Sequence, residues 1–393
     1  TRLGGCPPVR SRRSHARPPR CSSRCVGWRP KGVLCLLGVV NLQRHYYHCA
    51  GCRTGLYPWD EVLRTAGQRL TPGAREVVCL TGIQDSFGKA ADRTLHKLTG
   101  LRLSESTVER TTEAAGAHLQ KKQEDGVLLG QGERYQWNRD TDNATCAYVS
   151  LDLTGILMQG AKAAKVDGRM VTVAMIYNPE PRAADEEALS KPCEGVRYFA
   201  GFYDLEELGL QMRRQAAQVG MNDAEQWIAL TDGGAGLEHF IDVHFPRAEK
   251  ILDFFHAAEH LSAFAKRYRP GAASGPLLNA WCHSLKHAGG KQLIRMLQRL
   301  QRQKMSPEVQ EAYDGLLNYL KSNEHRMDYP RYLKRGWQIG SGAIESACKR
   351  VINQRLCLGG MRWGEQGSDA VAHLRALYQS DADQWDGFWA LAA

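Results

Sequence analysis

Five side chains sit where phosphoryl-transfer chemistry would want them. Asp152 stands inside the apolar run VSLDLTG, Asp232 closes WIALTD just before Gly233 and Gly234, and Asp253 and His256 end ILDFFH. Glu345 is the one acid in KRGWQIGSGAIESACKRVINQRL, residues 334–356. A carboxylate in an apolar strand is costly unless it is paired or holds a cation. Two divalent cations about 4 Å apart, activating a water and stabilising a leaving oxygen on phosphorus, need several carboxylates from separate elements. Magnesium takes near-octahedral oxygen ligands, with one or two carboxylates beside phosphates and waters. Two aspartates and a glutamate suit that task. Each residue also has an ordinary reading: Asp232 as a turn former, Asp253 as a helix cap, His256 as a core imidazole, and Asp152 as a partner of Lys162 or Lys165. For Glu345 it is an i,i+4 ion pair with Lys349, worth a few tenths of a kcal/mol.

These residues need a sheet to hold them. CAYVSLDLTGILM, RMVTVAMIYNP and VRYFAGFYD read as three strands, followed by a helix over 205–219. WIALTD, a short helix over 235–242, and AEKILDFFH continue the alternation. The pattern predicts an α/β sheet of mixed direction, with Asp232 at a carboxyl edge, where such sheets bind ligands. Residues 257–335 read as helical and basic, with Leu293, Met296, Leu297 and Leu300 in one stripe. A helix starting near Ser341 would align Ile344, Cys348, Val351, Ile352 and Leu356, leaving Glu345 at the border of the stripe.

Ahead of the sheet, residues 70–122 read as three helices, with Gly100 closing the second and Ser106 with Glu109 forming a capping box for the third. Two short helices around a glycine turn read either as a helix-turn-helix or as an ordinary bundle. In the first case Ser106, Thr107 and Arg110 begin the recognition helix. Residues 123–145 are polar and glycine-bearing, as in a linker.

Near the amino end, VLCLLGVVNLQRHYYHCAGC reads as a hairpin ending in Cys49 and Cys52, half of a zinc knuckle. Cys21 and Cys25 would complete it, with His45 or His48 as substitutes; the alternative is two unligated thiols in a turn. Residues 1–31 show no period and are expected to lack order. Residues 1–53 hold eleven Lys or Arg and no acid, which exceeds the chain's net charge of +10. Such an end suits either a polyanionic partner, through counterion release, or a solvated tail. Cys79, Cys146, Cys193, Cys282, Cys348 and Cys357 are scattered and mostly in apolar surroundings, as reduced cytoplasmic thiols would be. GVLCLLGVV is about half of the roughly 20 residues needed to cross a membrane, and no small-residue cleavage site follows it.

SLDLTG, LTDGG, FPRAEKILDFFHAAEHL, GSGAIESACKRVINQRL and GMRW, in that order, resemble the DDE transposases of bacterial insertion sequences of the Kra type, distant relatives of the Mutator-like group. The resemblance spans about residues 35–390. It implies an α/β fold: an RNase H-like catalytic core with an all-helical insertion, preceded by a small zinc-type element and a helix-turn-helix. The corresponding map is a basic, unordered segment 1–34, a hairpin with knuckle 35–60, a helix-turn-helix region 61–125, and a linker 126–145. The core occupies 146–261, the helical insertion 262–336, and the C-terminal core helices 337–393. Asp152, Asp232 and Glu345 become the acidic triad for two Mg2+ ions, with Mn2+ as a substitute, and Asp253 and His256 the Asp-x-x-His element. Zn2+ would sit at the knuckle. Lys266, Arg267, Arg295, Arg299, Arg302, Lys349 and Arg350 would contact DNA. The implied activity is cutting transposon ends and joining them to target DNA, as a homodimer or higher oligomer on duplex DNA, in a bacterial cytoplasm at the nucleoid and without a membrane. The rival is a transposase-derived DNA-binding protein that no longer cuts.

Overall fold

The computed structural model describes residues 22–160, 168–180, 193–234 and 236–392, so Cys21, Lys162 and Lys165 lie outside the described residues. Internal contacts divide the chain into one unit of Thr1–Thr112 with Trp389–Ala393 and a second of Glu113–Phe388.

In the first unit an antiparallel ribbon pairs β1 (Ser23–Cys35) with β2 (Gly38–Cys49), and β3 (Gly55–Leu56) adds to β2. Regular structure therefore reaches back to Ser23, where the sequence led us to expect a hairpin beginning at residue 35. The period is hidden because the register shifts between Cys25 and Gly27 and because Val26 and Trp28 are both exposed. One ribbon face is packed: Val33 is buried, and Lys31 and Arg44 both bind the buried Asp60 carboxylate. Helix α1 (Pro72–Gln84) is capped by the Thr71 hydroxyl, and the run Phe87–Thr99, with a π-helical middle at Ala90–Leu95, ends on Gly100 at φ +76°. That left-handed conformation is cheap only for glycine. Helix α2 (Glu105–Glu124) begins two residues earlier than the expected box. The Ser104 carbonyl accepts from Val108 N, and its hydroxyl lies 2.8 Å from that of Thr107. Ser104, not Ser106, starts the helix: Ser106 with Glu109 fits the box pattern, but the backbone hydrogen bond from Val108 N to the Ser104 carbonyl sets the start two residues earlier.

The second unit holds a five-stranded sheet in the order β6–β5–β4–β7–β8. Its strands are β4 (Cys146–Leu157), β5 (Gly168–Pro179), β6 (Cys193–Gly201), β7 (Gln226–Thr231) and β8 (Ala248–Leu252). β4, β5 and β6 pair antiparallel, whereas β4–β7 and β7–β8 are parallel. Alternation assigns the two faces. Ala147, Val149 and Leu151 join Ala174 and Phe199 in a core closed by α3 (Leu205–Gln218) and α4 (Leu237–His244), through Leu208, Met212, Phe240 and Ile241. Ser150, Met175 and Tyr198 align on the opposite face, which therefore also carries Asp152.

The strand expected to run through His256 stops at Leu252. Asp253 instead caps α5 (Phe254–Tyr268), accepting from Phe255 N at 3.0 Å and His256 N at 3.1 Å. ILDFFH is apolar at both strand and helix spacing, so its period could not separate the two. Helices α6 (Ser274–Gln298, kinked at Gly289, φ +80°), α7 (Pro307–Ser322) and α8 (Tyr329–Lys334) follow. Leu293 and Leu297 of the expected stripe are buried.

The chain then enters α9 (Gly342–Ala347), which continues through a π-helical segment, Cys348–Asn353, into α10 (Gln354–Leu356). Ile344, Cys348, Val351, Ile352 and Leu356 are all buried, as the stripe required. The Arg350 guanidinium donates to the Tyr198 hydroxyl at 2.7 Å, so this helix lies on the Asp152 face of the sheet. Trp363, from GMRW, donates through Nε1 to Leu356 O and bridges in parallel to Met158, tying the helix end to the end of β4. α11 (Glu365–Gln379) packs on β6, and α12 (Ala382–Ala392) closes the chain. Among the described residues, no helix is long and apolar enough to cross a membrane.

Candidate active site: a carboxylate cleft at the sheet edge

Register brings the acids together. Ser150 lies beside Leu230 in the parallel β4–β7 pair, so continuing the same offset sets Asp152 level with Asp232. Thr231 pairs with Leu252, and Asp253 follows at once on the neighbouring strand. The helix on this face contributes Ser341 and Glu345. Asp152, Asp232, Asp253, His256, Ser341 and Glu345 line one cleft of about 200 Å³, with Glu259 at its wall.

The Asp152 carboxyl is raised above the ordinary carboxylate range. Burial is the main cause, opposed by the Leu153 N–H on Oδ1 at 2.7 Å; the charges of Asp232 and Glu345 raise it further, while a hydrogen bond from Cys348 lowers it. Cys348 Sγ is 3.9 Å from Asp152 Oδ2, and burial pushes this thiol up to about 12. Asp232 Oδ1 accepts from Gly234 N at 2.8 Å, so this residue both forms a turn and faces the cleft. Gly233, at φ +84°, makes that turn possible.

Asp253 behaves differently. It is only 3% exposed, and both its oxygens are engaged: Oδ1 with the N–H groups of Phe255 and Ser341, Oδ2 with His256 N and the Ser341 hydroxyl. Burial raises its carboxyl above the usual range, against those hydrogen bonds. Its side chain is a structural hub, the ordinary reading of the sequence, although it also borders the cleft. Ser341 Oγ lies 2.9 Å from Asp253 Oδ2 and 2.6 Å from Glu345 Oε1. A hydroxyl carries one proton and donates to one of these acceptors at a time. Ser341 links Glu345 to the hub, a role that sequence reasoning missed; its spacing of four residues before Glu345 on a helix was the available signal. Among the described residues Glu345 makes no ion pair with Lys349.

His256 is half-buried, with Nδ1 3.9 Å from Glu259 Oε2, and its ring stands edge-on to His260, which stacks on Tyr319 at 3.9 Å between centroids. Among the described residues, no three His, Cys, Asp or Glu side chains stand close enough to share one metal ion as they are. The acids converge on the cleft without closing around a common point.

The other expected site residues are dispersed. Cys25 is exposed opposite Tyr47, Cys49 is buried opposite Ser23, and Cys52 Sγ lies 2.8 Å from the Thr54 hydroxyl. The described cysteines thus do not assemble a knuckle, and Cys21 lies outside the described residues. His45, a substitute ligand in the sequence reading, is stacked on Trp28. Ser106, Thr107 and Arg110 occupy the first turns of α2, with Arg110 Nε donating to Ser106 O. Lys266, Arg267, Arg295, Arg299 and Lys349 are exposed. Arg302 is instead occupied by a two-pronged pair with Asp314 at 2.9 and 2.5 Å, and Arg350 by Tyr198.

No protein-family model matches the chain, and no curated protein matches it. Among solved structures, the Drosophila P element transposase strand transfer complex is similar at 10% identity and a TM-score of 0.37, over 82% of this chain and 96% of that one. That score is too low to assign a shared fold.

Proposed function

We propose that this chain is a DNA-cutting and strand-transferring enzyme of the DDE transposase type, built on an RNase H-like core. The observation that carries the reading is the single cleft lined by Asp152, Asp232 and Glu345, delivered by a strand, a strand end and a helix. A sheet with three antiparallel strands followed by two parallel ones suits such a core. An all-carboxylate donor set fits Mg2+ or Mn2+, and a cation would offset both the burial that chiefly raises Asp152 and the added repulsion from Asp232 and Glu345.

Bound there, two such ions would supply Lewis acidity at phosphate oxygens and a more acidic water. The chain's own residues do the rest. Asp152 and Asp232 would hold the ions from adjacent parallel strands, and Glu345 would complete the set from the helix. Ser341 orients the Glu345 carboxylate through its 2.6 Å hydrogen bond, and Asp253 orients Ser341. His256 would meet the scissile phosphate from the cleft wall. Duplex DNA would be held by phosphate contacts from Lys266, Arg267, Arg295 and Arg299, which position without reading sequence, while Ser106, Thr107 and Arg110 would act as a helix-turn-helix. The protein would work as a dimer or larger assembly on DNA.

The test is nicking of supercoiled plasmid DNA with Mg2+ by the wild type, Glu345→Gln and Lys349→Ala. We expect Glu345→Gln to lose activity at least about a hundredfold, the scale of one removed charge-stabilising group, while Lys349→Ala, which keeps every carboxylate, retains metal-dependent cutting and at most weakens DNA binding. Equal cutting by wild type and Glu345→Gln would remove Glu345 from the site. DNA binding without cutting by any form would favour the non-cutting rival.

A further inference from the structure

Arg326 is 2% exposed, yet among the described residues no carboxylate meets it at hydrogen-bond distance. It ends the turn Glu324–Arg326, which joins α7 to α8. Burying a guanidinium is costly unless its N–H groups are taken up by other partners. The one carboxylate within 4.0 Å among the described residues, Glu238, reaches Nε at that limit and is held closer by Lys250 at 2.7 Å and His325 at 2.6 Å. Nε itself lacks a hydrogen-bond partner.

What the guanidinium does meet are the two residues that flank Asp232. Nη1 donates to the hydroxyl of Thr231, the residue before, at 3.1 Å. Nη2 donates to Asn323 Oδ1 and lies 3.2 Å from the point where a Cβ on Gly233, the residue after, would stand. Asn323 is in turn tied through Nδ2 to Tyr319 O at 2.8 Å, so the fork is held from behind. Arg326 makes no ion pair with Asp232, and its hold on that acid runs through the chain. Asp232 spends Oδ1 on the Gly234 N–H, so the direction of Oδ2 follows the tilt of this turn. A cation ligand has to be placed to within about 0.5 Å, and the groups behind it do the placing.

We propose that Arg326 is a positioning residue for the Asp232 carboxylate, fixing the turn at Thr231 and Gly233 so that this acid meets a divalent cation in the cleft. This role rests on the reading of the cleft as a cation site. The sign of the effect separates position from charge. Removing a buried positive charge near a carboxylate cleft would, by Coulomb attraction alone, tighten an incoming cation. Loosening the turn weakens it.

The test is Mn2+ binding by the full chain, read from the electron paramagnetic resonance of free Mn2+, with folding followed by thermal denaturation. Arg326→Gln should weaken binding about tenfold to a hundredfold, the range for loss of a partner behind a metal-binding side chain. Thr231→Val, which removes the accepting hydroxyl and no charge, should weaken it too, and should add nothing to Arg326→Gln. Arg326→Lys, which keeps one donor for Thr231, should recover part of the affinity. In plasmid nicking, Arg326→Gln should raise the half-saturating Mg2+ concentration and leave cutting at saturating Mg2+ near the wild-type rate. Binding by folded Arg326→Gln equal to or tighter than wild type, or additive losses in the double variant, would overturn the proposal; if Arg326→Gln does not fold, wild-type binding by Thr231→Val overturns it. Equal Mn2+ binding by wild type and Asp232→Asn would sink the cleft reading and this role with it, whereas a loss in Asp232→Asn alone would sink only this role.

Discussion

The contrast between Asp232 and Asp253 shows how little residue type decides. Both are aspartates that follow the last residue of neighbouring parallel strands. Asp232 spends one oxygen on a turn and faces the cleft, whereas Asp253 has both oxygens fully engaged by three N–H groups and a hydroxyl. Removing Asp253 therefore takes away a helix cap and also strands the buried Ser341 N–H. A lost cap costs about 0.5–2 kcal/mol, and an unsatisfied buried donor about 1–3 kcal/mol. We expect Asp253→Ala to destabilise the protein by about 2–4 kcal/mol in urea unfolding. Asp232→Asn, with its turn acceptor retained, should lose activity at little cost in stability. A negligible stability change in Asp253→Ala would show that the capping network does not support the site.

At the scale of elements, the helix carrying Glu345 depends on burial more than on local propensity. Ile352 is fully buried beneath it, and Ile352→Ala should cost about 2–5 kcal/mol, read as a lower midpoint in chemical denaturation. Cleavage should fall with it if the helix tilts, and should survive if only packing is lost. This helix was legible beforehand because every residue of its apolar stripe is buried at the expected spacing. The sheet was legible too, since Val149 and Leu151 alternate against Asp152. What the sequence hid was set by single hydrogen bonds. Asp253 turns ILDFFH from strand to helix, Ser104 outcompetes Ser106 as a helix start, and a register shift beside Gly27 erases the period of β1. The convergence of the acids was suggested by strand-end position, whereas the Ser341 link left only its four-residue spacing before Glu345 as a trace in the sequence.

Taken whole, the molecule separates its charges along the chain. Beyond residue 53 there are 42 acidic residues against 41 basic ones, the 52 of the chain less the eleven before that point. The excess positive charge is thus carried by the amino-terminal stretch, and polyanion affinity should follow it. Neutralising Arg24, Arg29 and Arg53 to glutamine should lower the salt concentration that elutes the protein from heparin. Neutralising the exposed Arg295 and Arg299 with Lys266 should shift elution less, because the nine Lys or Arg of the acid-free stretch 260–307 are offset by acids elsewhere beyond residue 53. Equal shifts would mean that the charge asymmetry of the sequence does not govern binding.

The π-helical segment at Cys348–Asn353 carries a consequence for how this protein can vary. A π turn accommodates one residue more than an α turn. Deleting a single residue there would let the wide turn close to the regular form with the flanking helix kept nearly in phase, whereas losing one from a regular α turn would rotate everything before it by about 100° and draw it in by about 1.5 Å. Glu345 lies just upstream. The wide turn can therefore give up one residue and leave the acid facing the cleft, whereas a loss from the α-helical turn that carries Glu345 would swing it away, so length is held more strictly beside this segment than within it.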